Sequence, residues 1–240
     1  MAKAQGRTSN DEPRRLPRGR HALAPEEVRE DQRRRLVEAV PRVVAEHGYE
    51  AMSVAHIVKA AAVSRNAFYD NFASKRECFA AAHEACHERL LAVLEARCEQ
   101  GTSVEERVET GLGAGLAMLS AEPHLARLLF VEAPSAGHEI ALRYHEWLHR
   151  YGALLRSAVP EAAERSNMAA ELDQVIAGGI ASRVASEVLQ GRAKQLRLLT
   201  PHLVGYVLAF YGSAAAETLA VPAYERARDA VVEPRRRQAG

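Results

Sequence analysis

Apolar residues recur at intervals of three and four along almost the whole chain, the spacing of helices that bury one face. Pro25, followed by Glu26 and Glu27, marks a helix start, because proline suits the first turn and acids complement its positive end. Leu36, Val37, Val40, Val43 and Val44 supply that helix's apolar face, and Gly48 closes it. Pro41 lies in its middle and predicts a kink near Val37. Two short helices then follow. Ser53 caps the first, whose inward positions are Val54, Ile57 and Val58, and Ala61, Ala62 and Val63 make a turn. Ser64 caps the second, which turns Ala67, Phe68 and Phe72 inward and leaves Arg65, Asn66, Tyr69 and Asn71 outside.

Ser74 and Glu77 form a capping box that opens a long helix over residues 75–100, with Phe79, Ala82, Cys86, Leu90, Val93 and Leu94 as its inner stripe. A second capping box, Ser103 with Glu106, opens a helix to about residue 120. Pro123 begins a shorter helix to about residue 132, and residues 133–137 read as a loop. Longer helices are expected over residues 138–159, 167–190 and 201–219, the last two separated by a turn at Gly191. No run of alternating β-branched residues interrupts the helical period, so the fold class is all-α.

Two short helices joined by a tight turn are the spacing of a DNA-reading helix-turn-helix, whose second helix enters the major groove. Arg65 and Asn66 start that helix. Arginine suits bidentate pairing with guanine and asparagine with adenine. Ser53, Ile57, Ala61, Val63, Ser64, Phe68, Tyr69, Phe72, Ser74, Lys75 and Glu77 stand in the register of the tetracycline-repressor (TetR) family of bacterial transcriptional regulators, which the chain resembles from Leu36 to about Ala85. Ala62 stands where that family usually has glycine; if the turn needs a positive φ, alanine costs roughly 1 kcal/mol. The resemblance implies a homodimeric, ligand-responsive repressor that binds a palindromic double-stranded DNA operator. It also implies phosphate contacts by Tyr69 and Lys75, with Ser53 and Ser64 beside them. It predicts an N-terminal three-helix helix-turn-helix DNA-binding domain over residues 25–80 and a C-terminal helical ligand-binding and dimerisation domain over residues 81–221.

The net charge of +1 does not by itself announce a nucleic-acid partner, but its distribution does. In residues 1–24, Lys3, Arg7, Arg14, Arg15, Arg18 and Arg20 face only Asp11 and Glu12. Such an arm lacks the apolar residues to fold alone and is expected to be disordered when free. Arg18 and Arg20, flanking Gly19, resemble a short hook for a narrow minor groove. Residues 222–240 read as a flexible tail ending in Arg235, Arg236 and Arg237. The cysteines, Cys78, Cys86 and Cys98, are odd in number and fall in one expected helix. With no signal-peptide pattern, they predict reduced thiols and a cytoplasmic protein. The charge-free run over residues 198–216 is broken by Pro201, Gly205 and Gly212, which argues for a buried interface helix rather than a membrane partner.

Met118, Phe130, Tyr144, Trp147 and Tyr151 are the bulky residues expected to line a small-molecule pocket. The last two long helices are rich in small residues, including Gly178, Gly179, Gly205 and Gly212, and the resemblance implies that they form the dimer interface. Their outward face is expected to carry Val204, Val207, Leu208 and Tyr211. The alternative function comes from two H-E-x-x-H segments, His83 with His87 and His145 with His149. Histidines four apart on a helix share a face and can hold zinc for a hydrolase, with Glu84 or Glu146 as general base. Neither segment is followed by the residues that supply a third ligand. No enzyme activity, cofactor or metal is therefore expected.

Overall fold

The computed structural model describes residues 24–159 and 170–212. The described residues are helical throughout their ordered elements, as the all-α expectation required. Helix α1 spans Pro25–Ala51, α2 Val54–Ala61, α3 Arg65–Tyr69 and α4 Lys75–Cys98. Helices α5 (Val104–Ala121) and α6 (Pro123–Arg127) follow; α6 runs on through a π-helical turn, Leu128–Glu132, and a 3-10 turn, Ala133–Ser135. Helix α7 spans His138–Ala158, α8 Ala170–Leu189, a 3-10 segment covers Ala193–Leu199, and α9 is Thr200–Gly212. The arm with Arg18 and Arg20, the tail over 222–240 and the end of the last helix lie outside the described residues.

Gly48 ends the regular part of α1 with φ 72°, and a further turn reaches Ala51. With ψ 162° it is extended at positive φ, a region open essentially to glycine alone. Pro41 does not break the helix: Gly48 is the one residue inside α1 whose dihedrals leave the helical region. Pro41 is buried within the helix.

Helices α1, α2 and α3 pack around Leu36, Val40, Val44, Ile57, Phe68 and Phe72, all buried. Helix α4 joins this cluster through Phe79 and continues into the larger helical body, where it packs along α5. The glycines of α5 allow this approach, since a Cβ at Gly115 would run into Leu94. Helix α7 packs on α8, and α9 on α5. Val207 and Tyr211 of α9 are buried in this body rather than presented outward. Tyr211 donates its hydroxyl to Asp173 at 2.5 Å, which fixes α9's rotation. The outward face of α8 and α9 carries Val175, Gly179, Gly205 and Tyr206 instead.

Candidate functional site

The candidate DNA-reading face is set by its caps. Ser53 Oγ accepts the His56 backbone N–H at 3.3 Å, and Ser64 Oγ accepts that of Ala67 at 3.0 Å. Both hydroxyls thus satisfy first-turn donors that water would otherwise serve. Ala62 between the helices has φ 52°, the one positive φ outside glycine among the described residues. Arg35 steadies this turn by donating Nη2 to the carbonyls of Ala61 and Ala62 at 2.5 and 2.8 Å.

Arg65, Asn66 and Tyr69 project from α3 into solvent, Tyr69 with 52% of its surface exposed. Asn71 does not join them. It is buried below α3, where its Nδ2 donates to the Ala67 carbonyl at 2.7 Å. The short helix ends at Tyr69, so the chain has turned inward by residue 71. Lys75 is also turned to another use. Its Nζ donates to the carbonyls of Tyr49, Glu50 and Met52 at 3.1, 2.9 and 2.9 Å. An ammonium has three donors. All three are directed at the carbonyl end of α1.

Arginine Arg33 is a supporting residue with no signature in the sequence. Its guanidinium lies 4.3 Å from the Phe72 ring centroid, and Nη1 donates to the Asn71 carbonyl at 3.1 Å. It therefore pins the chain leaving α3 to α1. Nothing in helical periodicity distinguishes such an arginine from a solvated one.

The second candidate site lies in the helical body. An apolar cavity of about 80 Å³ is enclosed by α4, α5, α7 and α8, with Leu90, Leu94, Leu112, Leu116, Phe130 and Ile180 among its walls. Phe130 and Tyr151 are the expected pocket residues that line it; Met118, Tyr144 and Trp147 do not. The sequence reading favoured aromatics, whereas the walls are mostly small and aliphatic side chains, leucine the commonest. Those residues carry no signal apart from the core pattern.

Beside the cavity lie His83 and His87, both with no exposed surface. Their Nε2 atoms are 3.0 Å apart, and His87 Nδ1 is 2.7 Å from Tyr151 Oη. Trp147 stacks on His87 and donates its indole N–H to Glu84 Oε2 at 3.1 Å. The first H-E-x-x-H segment is thus occupied by packing and by bonds among its own side chains. The second, His145 to His149, has both histidines exposed. Among the described residues no group of three or more His, Cys, Asp or Glu side chains converges as a metal site. Burial also pushes the Cys78 thiol up to about 12 and that of Cys86 to about 11, so neither is a thiolate at neutral pH.

A polar link joins the two candidate sites. Glu132, at the end of the π turn, accepts the Tyr49 backbone N–H at 2.9 Å and is held by Arg127 Nε at 3.0 Å. Phe130, two residues earlier, lines the cavity. One turn of chain therefore touches both the cavity and the junction of α1 with α2.

Residues 36–82 match the family model described as "Bacterial regulatory proteins, tetR family". Residues 36–82 thus carry a TetR-type DNA-binding region, and the chain shares the fold of solved TetR-family regulators. Among solved structures, the fatty acid degradation regulator FadR from Bacillus halodurans is 25% identical, with a TM-score of 0.65 over 73% of this chain and 97% of that one. The transcriptional regulator FadR from Bacillus subtilis, solved in complex with stearoyl-CoA, is 18% identical, with the same TM-score and the same coverage of both chains. A TetR-family transcriptional regulator from Syntrophomonas wolfei is 12% identical, with a TM-score of 0.61 over 77% of this chain and 97% of that chain. No curated protein matches the chain. No described helix is long and apolar enough to cross a membrane.

Proposed function

We propose that this protein is a ligand-responsive repressor of the TetR type that binds a palindromic operator as a homodimer. The observation that carries the reading is the α3 face. Arg65, Asn66 and Tyr69 stand exposed on a helix whose start, turn and exit are each bonded to buried structure. Arg65 makes no hydrogen bond or ion pair with the other described residues, so its five donors are free for a guanine edge. Tyr69 can place its hydroxyl on a phosphate, which positions the helix without reading sequence.

The effector is an apolar small molecule held in the cavity between α4, α5, α7 and α8. Its aliphatic walls suit such a ligand, and the stearoyl-CoA bound by the Bacillus subtilis FadR agrees with that chemistry. Ligand can move the equilibrium only if it prefers one conformation. The π turn supplies a route: Phe130 feels the cavity, and Glu132 holds Tyr49 at the root of the DNA-reading helices.

Selection of wild-type protein on random double-stranded DNA tests the reading. The expected result is an inverted repeat whose half-sites lie about 34–36 Å apart, one helical turn. Arg65→Ala should lose about 1–3 kcal/mol on that repeat and relax preference at one position of each half-site. Equal loss on scrambled DNA would remove Arg65 as a base reader, and failure to enrich any repeat would remove the operator reading.

A further inference from the structure

The aliphatic cavity has one strong polar group in its wall. Of the lining side chains only Cys98 and Tyr151 carry a polar atom, and a thiol is a weak hydrogen-bonding partner. Tyr151 Oη is 2.7 Å from His87 Nδ1, and His87 Nε2 is 3.0 Å from His83 Nε2. Burial lowers the His83 pKa to about 4 and that of His87 well below the ordinary range, so both rings are neutral at pH 7. Each ring then carries one proton, and the chain of bonds can run in only two directions.

In one direction Tyr151 donates its O–H to His87 Nδ1, and His87 donates from Nε2 to His83. The His83 proton then sits on Nδ1, a buried atom with no partner. In the other direction His83 donates from Nε2 to His87, and His87 donates from Nδ1 to Tyr151 Oη. The Tyr151 O–H is then released toward the cavity, and His83 Nδ1 is a bare lone pair. Without an acceptor in the cavity the second direction orphans two polar groups and the first only one. Each orphan costs free energy, so the first direction prevails. An acceptor placed against Tyr151 reverses the order, because the hydroxyl is then paired and one lone pair alone is left over. Both directions hold the same protons. The reversal moves the His87 proton from Nε2 to Nδ1 and the His83 proton from Nδ1 to Nε2, with none gained or lost.

We infer that Tyr151, His87 and His83 form a polar subsite selecting an uncharged apolar molecule with one hydrogen-bond acceptor, such as a ketone or ester carbonyl, and that the histidine pair changes tautomer as it binds. This rests on the effector reading above and names the chemistry of that effector. A carboxylate is disfavoured because no lysine or arginine lines the cavity, and an unpaired buried anion costs far more than an unpaired dipole. A plain hydrocarbon fills the space but leaves Tyr151 bonded to His87.

The test uses the full chain and two compounds of one shape, cyclohexyl methyl ketone and isopropenylcyclohexane, in which a methylene replaces the carbonyl oxygen. Calorimetry should show the ketone binding about tenfold tighter, the worth of one net hydrogen bond. In Tyr151→Phe the preference should fall below about threefold, with alkene affinity unchanged. Nitrogen NMR of the wild-type histidine rings gives a measurement independent of any variant. The ketone should move the His87 proton to Nδ1, and the alkene should not. Equal affinities, a preference that survives Tyr151→Phe, or cyclohexanecarboxylate binding as tightly as the ketone would each overturn the inference. If both compounds bind alike, the effector reading stands and this one falls. If neither binds at millimolar concentration, both fall.

Discussion

At the scale of single residues, Ala62 shows how a local rule is broken and tolerated. A Cβ in the left-handed region crowds the following carbonyl, at a cost of roughly 1 kcal/mol. The turn persists because Arg35 holds the carbonyls of Ala61 and Ala62 and Ala61 beside it is buried. Ala62→Gly should therefore stabilise the protein, although glycine's looser unfolded chain offsets part of the gain. A rise in melting temperature of a few degrees is expected, about 0.5 kcal/mol. A fall would mean that the turn is unstrained. Lys75 teaches the opposite lesson. Its identity agrees with the family pattern, and without DNA its ammonium caps the carbonyl end of α1, a use that sequence register does not announce.

At the scale of elements, the π turn over Leu128–Glu132 is the route by which the proposed ligand response would reach the DNA-reading helices. A π turn is a strained insertion that persists where something needs the residue it displaces. Here it presents Phe130 to the cavity and Glu132 to the Tyr49 N–H within one turn. Glu132→Gln keeps an acceptor for Tyr49 but removes the charge that Arg127 holds. The variant should fold and bind DNA near the wild-type level, while ligand should release DNA several-fold less well, a loss of about 1 kcal/mol of coupling. Fluorescence anisotropy on labelled operator with and without ligand measures it. Undiminished release would place the coupling in another element.

At the scale of the whole molecule, the exposed surface of α8, α9 and the intervening 3-10 segment is the face on which the proposed homodimer would form. Val175 is 57% and Leu198 62% exposed, with Tyr206 and Gly179 between them. A two-fold partner would cover such a patch on both copies at once. Val175→Glu adds a charge where the free subunit is already exposed, so folding should be little affected. Light scattering should then find monomers at micromolar concentration, and operator affinity should fall at least tenfold because both half-sites no longer engage together. A dimer that survives the change would put the interface on another face.

Much of this molecule was legible in its sequence because it is written locally. Helix starts at Ser53, Ser64, Ser74 and Ser103 were readable, since a cap and its first turn lie within four residues of each other. The exposure of Arg65, Asn66 and Tyr69 followed from the same periodicity. What depended on distant parts of the chain was not readable. Asn71 turned inward because α3 is only one turn long and Arg33 captures the exit. Val207 and Tyr211 faced the core because Asp173, nearly forty residues earlier, bonds the tyrosine. Pro41 lies inside a continuous helix and is buried there. The cavity and its buried histidine pair were likewise decided by tertiary structure alone, because four helices must meet before an aliphatic wall differs from an ordinary core. The sequence by itself determined where helices begin and which short helix faces solvent, through interactions a few residues apart; the tertiary structure decided which faces meet, because that depends on contacts between residues far apart in the chain.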